Sequence, residues 1–94
     1  MARYDAAKTT TAGSSSTALG TIRTLAEGAV VEITALNAAC WVHLTGGTAA
    51  AAGDNCIPVP QNGAVELTIL TAGTVLTAIR AGSTDALVTV AEVR

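Results

Sequence analysis

Phenylalanine is absent from this chain of 94 residues, and the other aromatics occur once each, as Tyr4 and Trp41. A core of stacked rings is therefore excluded, although half of the residues are apolar. The interior must be built from Val, Leu, Ile and Ala. Alanine buries little area, and apolar surface is worth roughly 25 cal/mol per Å², so such a core is thin and gains from contact with neighbours. Charge is also scarce, at 13% of residues with a formal net charge of -2. That balance supplies no basic surface to neutralise phosphates, so nucleic acid is not an expected partner. No apolar run nears the roughly twenty residues that span a bilayer, and the opening "MARYDAAKTTTAG" lacks the apolar stretch of a secretory leader. No membrane partner is expected, and the chain is expected to be made in a cytoplasm-like compartment.

Cysteine is limited to Cys40 and Cys56. In reducing surroundings free thiols acting as small hydrophobes are the expectation. A metal site with His43 is not expected. In "CWVHLT" the strand alternation sends Cys40 and His43 to opposite faces, and the close ligand pairs of structural zinc sites are missing. The same geometry weakens a Cys-His nucleophile pair, which also lacks an orienting group. The acidic residues are dispersed over different segments, and the glycine-rich "TGGTAAAAGDN" has no lysine and no strand-loop-helix setting for a phosphate. It is expected to be a mobile loop. No catalytic residue, cofactor site or metal site is expected, and an enzyme is the function class with least support.

What is present is strand texture. Residues 1–18 include "KTTTAGSSST", small and polar with no periodic apolar positions, and read as an extended or flexible arm outside the core. From residue 19 to residue 94, short segments rich in Val, Ile, Leu and Thr alternate with Gly, Asn and Asp at intervals of about ten residues, the pattern of an all-β sandwich domain. In "AVVEITAL" the residues Val31, Ile33 and Ala35 share one face, with Glu32 and Thr34 on the other. "GAVELTIL" repeats this with Val65, Leu67 and Ile69 inward. "TVLTAIR" and "DALVTVAEV" carry apolar residues on both faces, Leu76 and Ala78 against Val75 and Ile79, and Leu87 against Val88 and Val90. A second cover from another copy of the chain is the implication. Asn62-Gly63 is the strongest hairpin signal, and Pro58 and Pro60 in "CIPVPQ" confine that segment to a sheet edge or a connector. Trp41 shares a face with His43; sealing one end of the core or an intersubunit contact is the expectation, and a sugar-stacking platform the alternative. Arg23, Arg80 and Arg94 are candidates for ion pairs with a neighbouring subunit.

From Ala39 to Arg94 the succession "ACWVHL", "TGGTAAAAGDN", "IPVPQNG", "TVLTAIRAGST" and "LVTVAEV" resembles small structural proteins of tailed bacteriophages. The resemblance implies a jelly-roll-like sandwich acting as a capsid decoration, or cement, protein on the outer surface of the virion. It would bind the major capsid protein and stabilise the head by bridging its subunits. On this reading Arg3, Tyr4, Lys8, Thr10 and Ser15 of the arm contact the capsid, while Trp41, His43, Leu76, Arg80 and Leu87 form the contact of a homo-oligomer, a dimer or trimer. The alternative expectation is a carbohydrate- or receptor-binding module, or another neck or tail protein, with Trp41 and His43 near the ligand.

Overall fold

A computed structural model describes residues 4–93. Eight strands build the fold, and no helix occurs among the described residues: β1 (Tyr4–Ala12), β2 (Thr17–Ala18), β3 (Val30–Leu36), β4 (Cys40–His43), β5 (Cys56–Val59), β6 (Ala64–Thr68), β7 (Thr77–Arg80) and β8 (Ala86–Val93). They form two antiparallel four-stranded sheets, ordered β1-β8-β3-β6 and β2-β7-β4-β5. The chain switches sheet at every connection except the β4–β5 hairpin.

Alternation decides which side of each strand is buried. Val31, Ile33 and Ala35 of β3 lie opposite Glu92, Val90 and Val88 of β8, all on the inner side, while Glu32 and Thr34 pair with Ala91 and Thr89 on the outer side. From the second sheet Cys40 and Val42 face inward, opposite Val59 and Ile57. Leu19, Leu25, Ile69 and Leu76 fill the space between, and the core is aliphatic throughout, with no buried polar residue among the described ones. Both cysteines are free. Cys40 is inside, and Cys56 stands beside His43 on the outer side.

The N-terminal segment departs from the expectation of an arm. Its described part contains β1, which pairs with β8 from Tyr4 to Ala12 with one irregularity between Tyr4 and Ala7. Ala12 is fully buried. No apolar periodicity marks this strand, because two of its inward positions, Lys8 and Thr10, are polar and only Ala12 is an apolar core residue. Lys8 and Thr10 lie opposite Val90 and Val88 at the margin of the sandwich, where the chain around Gly20 half-buries Thr10 and touches the stem of Lys8, which stays exposed. The Gly20 amide donates to Thr10 Oγ1 at 2.9 Å, and a Cβ on Gly20 would come within 3.1 Å of the Lys8 stem. Polar residues with aliphatic stems suffice at such a rim.

Two further expectations change. Asn62-Gly63 does not join a hairpin, because β5 and β6 belong to different sheets. The pair closes a turn in which the Gly63 amide bonds to the Pro60 carbonyl at 2.9 Å, with Asn62 at φ 57°. Positive φ is what the dipeptide encodes, and a turn between sheets uses it as well as a hairpin does. The segment 45–55 is also not loose. Leu44 N bonds to Asn55 O at 2.8 Å, and Ala49 is buried and donates its amide to Ser16 Oγ at 2.9 Å.

Candidate interaction surfaces

Among the described residues no group of three or more metal-ligating side chains converges. The chemistry on offer is that of surfaces. On the outer side of the second sheet Trp41 lies opposite Pro58 on one neighbour and Ile79 on the other, and the next row is Thr77, His43 and Cys56. Trp41 and His43 are each half-buried and share this side, as the alternation required. His43 is fixed by its loop: Nδ1 accepts the amides of Gly47 at 3.0 Å and Thr45 at 3.2 Å. An accepting Nδ1 places the proton of the neutral ring on Nε2.

The other expected oligomer residues do not join them. Leu76 is 1% exposed and belongs to the core, so it offers no surface. Arg80 reaches Asp85 at 2.7 Å near one end of the sandwich. Leu87 is exposed on the outer side of the first sheet, opposite Leu36. The expected set is split between two sides and the interior because each strand sends successive residues in opposite directions.

The expected capsid contacts are equally dispersed. Arg3 lies outside the described residues. Tyr4 donates its hydroxyl to Glu32 Oε2 at 2.7 Å on the outer side of the first sheet, whereas Lys8 and Thr10 face inward. Ser15 is exposed in the turn between β1 and β2, and its carbonyl accepts the Thr17 hydroxyl at 3.0 Å. Arg23, expected at a subunit contact, is paired within the chain: it bonds Glu92 at 2.7 Å and also Asp5. These two carboxylates raise its pKa above the ordinary arginine value, its hydrogen bond to Asp5 being the largest cause. Arg94 lies outside the described residues.

A surface that strand alternation does not reveal lies where three connections meet, those following β2, β4 and β6. The Gly73 amide bonds Leu25 O at 2.8 Å, and Gly46, at φ 82°, passes so close to the Val75 carbonyl that a Cβ there would sit at 2.5 Å. Only glycine fits that crossing. Around it Ile22, Leu70 and Val75 are 63%, 79% and 53% exposed. Ile22 and Val75 flank one cleft, and Leu70 lines a neighbouring groove of about 460 Å³ with Leu44 and Leu67, the two sharing Thr74. Among the described residues no charged one lines that groove. The signal in the sequence was small: Leu70 follows Ile69 out of phase, in a segment read only for its inward face.

No protein-family model, curated protein or solved structure matches this chain.

Proposed function

We propose that this chain is a non-enzymatic structural protein of a tailed-bacteriophage particle, a decoration protein that braces the capsid by bridging subunits of the major capsid protein. The observation carrying the reading is the strand order β1-β8-β3-β6 over β2-β7-β4-β5, with a sheet change at nearly every connection. We take it as the double Greek key of a jelly roll, an architecture used in viral shells and lectins. Fold alone does not assign function; the phage-like succession of segments from Ala39 to Arg94 and the exposed aliphatic end at Ile22, Leu70 and Val75 add to it. Scattered aliphatics on a surface are ordinary, but three together on loop tips are a feature of interaction sites. In this reading the loop end seats on the capsid, in place of the arm.

Mass spectrometry of purified particles of the phage encoding the chain tests this. A copy number in simple proportion to the major capsid protein is expected, and Leu70→Asp should abolish capsid binding while the body stays folded. Absence from the particle, or undiminished binding by Leu70→Asp, overturns it. A second reading, a lectin-like module, is favoured by Trp41 on an outer face between Pro58 and Ile79. Glycan-array binding that is lost on Trp41→Ala would select that reading instead.

A further inference from the structure

Of the four sheet margins, three are guarded. β2 is two residues long, β5 contains Pro58 and runs into Pro60, and β6 is five residues long with Glu66 at its centre, directly opposite Glu32. Short length, proline and charge are the usual ways of discouraging another strand from adding on. The fourth margin, the nine-residue β1, is neither short nor broken by proline, and of its two charged residues Asp5 precedes the regular stretch and is held by Arg23, while Lys8 lies on the inner side with its stem against Gly20. Between Ala7 and Ala12 every residue pairs with β8, and among the described residues no backbone group bonds to that stretch from the opposite side. Its outer positions, Ala7, Thr9 and Thr11, are small, uncharged and exposed, while Lys8 points to the inner side.

We infer that a second copy of this chain occupies the margin, β1 pairing antiparallel with β1 about a twofold axis near Thr9 and Thr10, so that the two four-stranded sheets become one. Such an interface is self-complementary, as a twofold requires, and its affinity comes from main-chain hydrogen bonds. The side chains permit it. With the axis at Thr9, Lys8 meets Thr10 of the partner subunit and Ala7 meets Thr11 of the partner subunit, so no like charges stand opposite. The same operation on β6 would set Glu66 against its own copy. A cross-strand threonine pair is already favourable on this face, where Thr9 Oγ1 and Thr89 Oγ1 lie 2.7 Å apart. The inference concerns the chain by itself and does not depend on the particle reading.

Sedimentation equilibrium of the full chain and of two double variants tests it. Thr9→Lys with Thr11→Lys sets like charges against each other whether the axis lies at Thr9 or Thr10, and both positions are exposed, so circular dichroism should stay unchanged. Wild type is expected to dimerise, the lysine variant to dimerise about tenfold more weakly or worse, and a mixture of it with Thr9→Glu and Thr11→Glu chains to recover the dimer. A wild type that stays monomeric, a lysine variant that dimerises as wild type does, or a mixture that fails to recover overturns the inference.

Discussion

Gly47 lies against the imidazole of His43, its amide 3.0 Å from Nδ1, and a Cβ placed on it would stand 2.7 Å from the ring. The contact fastens the start of the β4–β5 connection, and Thr77 Oγ1 clamps the Gly47 carbonyl from β7. Gly47→Ala should force the ring aside and cost roughly 1–3 kcal/mol, as overpacking does. Combining it with His43→Ala should recover much of that loss, because the double variant no longer contains the collision. Chemical denaturation of the two single variants and the double variant measures the coupling. Additive losses would mean that ring and glycine do not meet.

Cys40 and Cys56 should differ in reactivity. Cys40 is fully buried among aliphatic side chains, and loss of solvation pushes its thiol up to about 11 from the ordinary 9.0. At a mildly alkaline pH its thiolate is then about a hundredfold scarcer than in the unfolded chain. Native protein should consume one equivalent of an alkylating reagent, at Cys56, and denatured protein two. The raised value also sets a sign for stability. Between about pH 9 and pH 11 the folded chain keeps a proton that the unfolded chain has released, so stability falls as pH rises through that window. Cys40→Ala should flatten this part of the profile.

Residues 1–12 should prove necessary for the fold. As a detached arm they would be dispensable, but β1 covers the margin of β8, and Ala12 closes part of the core. Their deletion removes a full ladder of hydrogen bonds and exposes a central strand as a new edge. The truncated chain is expected to melt well below the full chain or to aggregate. An unchanged melting temperature would show that β1 contributes nothing to the body.

The legible part of the sequence was the part where one side of a strand meets the core. Val31, Ile33 and Ala35 against Glu32 and Thr34 gave β3 its facing, and the same test succeeded for Val65, Leu67 and Ile69. Pro58 correctly confined its strand to a margin. The test failed at β1, where Lys8 and Thr10 hold inward positions that a rim does not require to be apolar. It also failed at Asn62-Gly63, since positive φ specifies a turn and not which sheet follows it. Leu76 and Leu87 have similar local sequence, yet one is in the core and the other outside. Surface assignments were therefore the least legible, because a contact face is assembled from several strands and connections, and its parts are far apart in the chain.

Glu32 and Glu66 stand directly opposite each other on the outer side of β3 and β6, both carboxylates, with no salt bridge to either among the described residues. The Tyr4 hydroxyl relieves Glu32 only, by donating to it at 2.7 Å. Like charges in directly opposed positions oppose pairing, whereas opposite charges there contribute roughly 0.2–1 kcal/mol. Glu66→Lys should therefore raise stability by about 1 kcal/mol at low salt, and Glu66→Gln by less. Added salt should shrink the difference between wild type and Glu66→Lys, since the site is exposed and both the repulsion and the new attraction are screened. Thermal melts of the three proteins at two ionic strengths separate this from a change in β propensity, which salt would leave intact. Equal stability of wild type and Glu66→Lys at low salt would mean that the two carboxylates already avoid each other by turning outward into water.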